Sequence, residues 1–163
     1  LRTTDVRHVL AVLSARFEQI ARDNEVELAF SDEAGPLLTS CDANALEQAL
    51  SNLLYSALVN ASANVAVNAY VEGQGIVVRI QDDGPPTQVT DIPALSDRAY
   101  RKQLESGQLG PGWGLGLAIT QALIHLYGGQ IRVDVDQAGY TYVDVTLRGG
   151  GEGDSEHDGL LSR

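Results

Sequence analysis

The sequence predicts an α+β domain, a two-layer sandwich in which a mixed, mostly antiparallel sheet carries three helices on one face. Three observations lead there. Apolar residues switch between helical spacing and two-residue alternation in the order α-β-β-α-β-β-loop-α-β-β. The strongest alternation, Val65, Val67, Ala69 and Val71 followed by Ile76, Val78 and Ile80, folds back at Glu72-Gly73-Gln74-Gly75 as a hairpin. The 163 residues are 44% hydrophobic, enough for one core.

The first helix begins at Val6, and Leu10, Leu13, Phe17 and Ile20 share its apolar face down to about Asp23. Thr4 or Asp5 supplies its cap. Val26, Leu28 and Phe30 alternate with Glu25, Glu27 and Ala29 as a half-buried strand, and after Gly35-Pro36 a shorter strand covers Leu37 to Ser40. Asp42 caps a second helix with the seam Leu46, Leu50, Leu53 and Ala57, ending near Asn60. Beyond the hairpin, Asp83 to Gly112 has no sustained period and holds Pro85, Pro86, Pro93 and Pro111, so it reads as a long loop with one short helix over 94–104. A third helix runs from Leu117 to Tyr127 and stops at Gly128-Gly129. Two strands follow, Ile131 to Val135 and Tyr140 to Leu147, joined by a turn at Gln137 to Gly139. Residues 1–148 form the domain. Residues 149–163, glycine-rich with Glu152, Asp154, Glu156 and Asp158, form an acidic linker or tail.

Charge narrows the function. A net charge of -11, from 22 acidic and 11 basic residues, disfavours nucleic acid as a partner. Cys41 is the only cysteine, which excludes an internal disulfide and a cysteine-rich zinc site. No apolar run approaches the roughly 20 residues of a membrane-spanning helix, so direct membrane contact by this segment is not expected and a cytoplasmic address is. A start at Leu1 and the lack of methionine read as part of a longer protein, one able to carry a membrane sensor upstream.

Three features point to a nucleotide. Gln48, Asn52, Ser56 and Asn60 recur at four-residue steps as a polar stripe on the second helix, which is either one wall of a site or, more economically, a solvated face. Asp82 shares parity with the inward-facing Ile76, Val78 and Ile80, so its carboxylate needs a donor where the strand ends. A backbone amide of the Gly84-Pro85 turn and the exocyclic amine of an adenine both qualify. Gly110-Pro111-Gly112-Trp113-Gly114-Leu115-Gly116-Leu117 leads into a helix, where glycines admit a ligand and the free amides favour phosphate, or simply form a hinge. Leu117 stands where a dinucleotide fingerprint needs a third glycine, and no Gly-Lys-Ser/Thr follows as in a P-loop.

From Asp5 to Leu147 the chain resembles the histidine kinase branch of the superfamily that also contains gyrase, the Hsp90 chaperones and the MutL repair proteins. Leu46-Glu47-Gln48-Ala49-Leu50-Ser51-Asn52-Leu53-Leu54-Tyr55-Ser56-Ala57 resembles the N box, L-x-Q-x-L-x-N-L-L-x-N-A. Asp82-Asp83-Gly84-Pro85-Pro86 resembles the first glycine box, D-x-G-P-G, and Gly112-Trp113-Gly114-Leu115-Gly116-Leu117-Ala118-Ile119 the second, G-x-G-L-G-L-A-I. Leu95-Ser96-Asp97-Arg98-Ala99-Tyr100-Arg101 is similar to the F box L-F-E-R-F-Y-R, without its phenylalanines. The resemblance implies the Bergerat fold and ATP with Mg²⁺ as cofactors. The nucleotide would be held by Asn52, Ser56, Asp82, Gly84, Arg98, Arg101, Gly112, Gly114, Leu115, Gly116 and Leu117. Asp82 takes the adenine-binding position, and Asn52 and Ser56 would hold the metal.

It also implies transfer of the ATP γ-phosphoryl to a histidine on an upstream dimerisation domain, which would make the homodimer, with a response regulator downstream. His8, His125 and His157 do not sit in the family's acceptor setting. Ser56 replaces the second N-box asparagine, Val59 a basic residue and Pro86 a glycine. A hydroxyl reaches less far than an amide toward an ion that demands near-octahedral geometry. The expectation is that adenine binding through Asp82 survives while metal-dependent transfer is weakened. Two alternatives are a pseudokinase that regulates a partner, and a protein-serine kinase of the anti-sigma type.

Overall fold

Chain direction is first set by Asp5, whose carboxylate accepts the Arg7 amide at 3.0 Å and starts a helix. The structure, a computed structural model, describes residues 3–84 and 113–150, with only the backbone for 113–118. In chain order the elements are β1 (Thr4–Asp5), α1 (Val6–Asp23), β2 (Glu27–Asp32), β3 (Leu38–Thr39), α2 (Ala43–Asn60), β4 (Asn64–Glu72), β5 (Gly75–Asp82), α3 (Trp113–Leu126), β6 (Gln130–Val135) and β7 (Thr141–Arg148).

Five strands form one sheet in the order β2-β4-β5-β7-β6. β2 runs parallel to β4, and the other neighbours are antiparallel. The sheet is therefore mixed and mostly antiparallel, as the alternation predicts. Its inner face offers Val65, Val67, Ala69, Ile76, Val78, Ile80, Val143, Val145 and Leu147, all buried. Against it lie Leu10, Leu13 and Phe17 of α1, Leu46, Leu50, Leu53 and Leu54 of α2, and Ile124 of α3. Each large aliphatic side chain so buried contributes about 1.5–3 kcal/mol. The three helices share that face.

Where chain reversals are tight, local chemistry explains them. Gly73 adopts φ +62 between β4 and β5, a left-handed conformation that lets two residues close the hairpin. The end of α1 uses a less suited residue: Glu25 takes φ 57, with its amide on Arg22 O at 3.0 Å and the Val26 amide on Ala21 O at 2.9 Å. That is a Schellman turn with glutamate in the glycine position. β2 consequently starts at Glu27, two residues later than the alternation suggests.

Two expectations need correction. The short strand near Leu37 does not join the main sheet; Leu38–Thr39 pairs instead with Thr4–Asp5, a strand too short to show a period. The third helix starts at Trp113 rather than Leu117, so Gly114 and Gly116 are helical. Glycine weakens a helix by about 1 kcal/mol but does not forbid it, and packing against α2 overrides that preference. Pairing also continues past Arg148: Thr39 bridges Gly149, and the Gly150 amide reaches Leu38 O at 2.9 Å. The expected short helix over 94–104 and the acidic residues beyond 150 lie outside the described residues.

Candidate nucleotide site

The polar stripe of α2 is not a solvated face. Gln48 is exposed and Asn52 half-buried, while Ser56 and Asn60 are 3% and 5% exposed, so the stripe descends from solvent into the interior toward the helix C-terminus. There it meets the exit of β5. The geometry follows from parity: Asp82 faces inward with Ile80 and Val78 and is 5% exposed. Its Oδ1 accepts the Asn60 carboxamide at 2.7 Å and the Gly84 amide at 2.9 Å. The turn amide, one of the two donors expected for this carboxylate, is thus present, and a side chain joins it.

Asp83 turns the other way and fastens the same corner. Its Oδ1 accepts the amides of Ser62, Ala63 and Asn64 at 3.0, 3.0 and 2.9 Å, and its Oδ2 accepts Asn64 Nδ2 at 2.9 Å. Desolvation acts to raise its pKa, but the amides of Ala63 and Asn64, the Asn64 side chain and the Ser62 amide together outweigh it and hold the carboxyl at about 2. The adjacent pair of aspartates therefore divides its labour. Asp83 ties the α2–β4 connection to the end of β5, and Asp82 faces the helix layer.

Next to Asp82 lies a residue of the closing strand that the sequence reading did not place in the site. The last β5–β7 pair is Gln81 with Tyr142, so one step further on the same face Asp82 and Thr141 leave their strands as neighbours. Thr141 is 3% exposed, and its hydroxyl has no hydrogen-bond partner among the described residues. A buried orphan hydroxyl is costly unless something else bonds it. The available signal was its parity with Val143, Val145 and Leu147, a lone polar residue in an inward apolar series. Asn60 was likewise visible only as the last member of the stripe.

Asn52 reaches the third helix, donating Nδ2 to Thr120 Oγ1 at 3.0 Å. That bond joins the polar stripe to α3, whose N-terminal turns contain Gly114, Leu115, Gly116 and Leu117. Asp82 and Gly84 thus meet Asn60 at the C-terminal end of α2, and Asn52, two turns earlier on that helix, is tied to α3. Gly112, Arg98 and Arg101 lie outside the described residues. A cavity of about 340 Å³ opens on the far side of the strand ends, lined by Asn64, Ala66, Gln81, Asp82, Asp83, Asp136 and Tyr140. Among the described residues its lining shares Asp82 with the inward arrangement but includes neither Asn52, Ser56 nor Thr141.

Residues 41–150 match the sequence profile of the histidine kinase-, DNA gyrase B- and HSP90-like ATPases, a stretch that contains every element from α2 to β7. The chain belongs to this ATPase family. Within it, the chain is 32% identical over 133 residues to the sensor histidine kinase CusS of Escherichia coli strain K12, covering 80% of this chain and 27% of that protein. The chain thus spans about a quarter of the length of such curated relatives. The catalytic domain of histidine kinase ThkA superposes with a TM-score of 0.69 at 18% identity, over 91% of this chain and 96% of that one. ThkA in complex with the response regulator TrrA gives 0.69 at 16% identity, over 93% and 42%. These superpositions agree with the two-layer fold.

For this ATPase domain the fit of an adenine nucleotide can be tested on its own side chains. The Thr141 hydroxyl, without a partner among the described residues, neighbours the buried Asp82 carboxylate, and a flat heterocycle with amine and ring nitrogens is chemically compatible with that pair. The metal end fits more loosely. Among the described residues no cluster of three or more His, Cys, Asp or Glu could hold an ion. Among the described residues no helix is long and apolar enough to cross a membrane.

Proposed function

We propose that this chain is the ATP-binding catalytic domain of a two-component sensor histidine kinase. The observation that carries the proposal is the buried Asp82 carboxylate at the β5 exit, beside an orphan Thr141 hydroxyl and at the inner end of the α2 polar stripe. Asp82 binds the adenine amine. Gly84 keeps the backbone close, and Gly112, Gly114, Leu115, Gly116 and Leu117 line the phosphate side, where helix amides favour negative charge. Asn52 and Ser56 hold Mg²⁺, and Arg98 and Arg101 supply positive charge that Val59 does not. Bound ATP supplies the γ-phosphoryl group, and the chain's own part is positioning and charge neutralisation rather than covalent chemistry.

The phosphoryl acceptor is a histidine on an upstream dimerisation domain, which also makes the homodimer. The downstream partner is a response regulator, a reading supported by the fold shared with ThkA, which was solved with one. The domain works in the cytoplasm. The pseudokinase and anti-sigma readings are weaker, because relatives such as CusS are sensor kinases by name. Titration of fluorescent ATP with and without Mg²⁺ tests the proposal. Asp82→Ala is expected to abolish saturable binding, and an unchanged affinity would overturn the adenine assignment. Turnover is expected to be low because Ser56 stands in the metal position, and Ser56→Asn is expected to strengthen the Mg²⁺ dependence.

A further inference from the structure

Asp82 lies in a place unfavourable to a carboxylate. The last turn of α2 contains no basic residue, and its carbonyl end carries partial negative charge. Asp83, held ionised down to about pH 2, is its neighbour in sequence. Among the described residues, Asn60 Nδ2 at 2.7 Å and the Gly84 amide at 2.9 Å both donate to its Oδ1 and offset this. Two directional bonds on Oδ1 fix both the rotamer and the plane of the carboxylate, and with them the direction in which Oδ2 points.

Space around Gly84 shows how tight the arrangement is. A Cβ at that position would overlap the Asn60 carbonyl oxygen and carboxamide nitrogen and approach Asp82 Oδ1 to 2.8 Å. Asn60 itself is 5% exposed, so its carboxamide serves the protein interior rather than solvent. The clamp therefore joins the end of α2, the end of β5 and the following turn around one carboxylate.

We propose that Asn60 is a specificity-determining positioning residue: by clamping the Asp82 side chain in one orientation, it makes the site select 6-amino purines over 6-oxo purines. An acceptor held rigidly beside a negative helix end favours a ring that donates at position 6 and repels one that presents a carbonyl there. Sites built around a fixed polar partner discriminate far more strongly than apolar ones, because the wrong ligand leaves that partner unpaired. Asn60 touches no ligand atom in this scheme and acts through Asp82. The inference rests on the adenine reading of Asp82 given above.

The test measures dissociation constants for ATP and ITP with the 163-residue chain, its Asn60→Leu and Asn60→Ser variants, and Asp82→Asn. The unaltered chain is expected to prefer ATP. Asn60→Leu, close in shape but without a donor, is expected to weaken ATP by about tenfold or more and to leave ITP nearly unchanged, so that the ratio collapses. Asn60→Ser, a smaller change, keeps the question answerable if the leucine variant does not fold, and is expected to lose selectivity in the same direction. In a double-mutant cycle, adding either change to Asp82→Asn is expected to cost little further ATP affinity. An ATP-to-ITP ratio that survives in both Asn60 variants while Asp82→Asn destroys it would overturn the role of Asn60 and leave the adenine reading intact. A ratio indifferent to Asp82→Asn would remove the adenine reading itself.

Discussion

Arg79 and Asp144 face each other across β5 and β7 in a two-pronged ion pair, with Nε on Oδ1 at 2.7 Å and Nη2 on Oδ2 at 2.8 Å. The guanidinium also lies 4.0 Å from the centre of the Tyr142 ring. The carboxylate is the more enclosed partner, its side chain 9% exposed against 35% for the arginine. Asp144→Ala is expected to destabilise the fold by about 2–3 kcal/mol, since it leaves a partly buried guanidinium without its charged acceptor. Arg79→Lys keeps the charge but loses the planar fork, and about 1 kcal/mol is expected from that change. Urea unfolding midpoints measured on both variants, with unchanged slopes, check the order.

Asp83 makes stability depend on acid. Its carboxyl is held at about 2, below the ordinary carboxylate value of 3.8. A lowered folded-state pKa stabilises the fold fully above the unfolded value, near pH 4, and that contribution disappears as pH falls through about 2. Asp83→Asn is therefore expected to be less stable than the parent by about 1–2 kcal/mol at neutral pH, solvent access keeping the figure modest. The two proteins are expected to converge between pH 4 and pH 2 in thermal melts. A constant gap across that range would contradict the assigned hydrogen bonds.

Glu25 offers a test in the stabilising direction. Its φ of 57 is strained for a residue with a Cβ and easy for glycine. Glu25→Gly is expected to raise stability by about 0.5–1 kcal/mol, even though glycine gains freedom in the unfolded chain. Differential scanning calorimetry would register this as a small upward shift in Tm.

Thr141 separates structural from functional roles. Replacing its unpartnered hydroxyl by the methyl of Thr141→Val removes a buried polar group, so the nucleotide-free protein is expected to be unchanged or about 1 kcal/mol more stable. ATP affinity is expected to fall by about tenfold in the same variant. A loss of stability alone would mean that the hydroxyl serves the fold.

Gly84→Ala is expected to damage both properties together. The added methyl collides with the Asn60 backbone carbonyl, which cannot step aside as a flexible side chain can, so a loss of about 1–3 kcal/mol is expected. Because the same methyl presses on Asp82 Oδ1, ATP affinity measured under folding conditions is expected to drop as well.

Features written in local periodicity are legible in the chain alone. α1 and α2 occupy the predicted spans because apolar residues recur on one face, and Asp42 caps α2 through the Ala45 amide at 3.0 Å. The hairpin from Val65 to Ile80 and the inward direction of Asp82 follow from a two-residue repeat, which needs no knowledge of the rest of the chain. The ordered boxes likewise place Asn52, Ser56, Asp82 and Gly84 in one family pattern.

Other features arise only when distant segments meet. β1 pairs with β3, and Thr39 Oγ1 donates to Arg148 O across 109 residues at 2.6 Å; neither leaves a period in the sequence. Asn60 is simply the end of a polar stripe until the β5 exit brings Asp82 to its carboxamide, and Thr141 is an ordinary strand residue until the fold encloses its hydroxyl. The physical reason is the same in each case. Periodicity reports which face of an element is apolar, whereas the cost of burying a polar group depends on which partner the tertiary structure brings within about 3 Å, and that partner is chosen by packing rather than by neighbours in the chain.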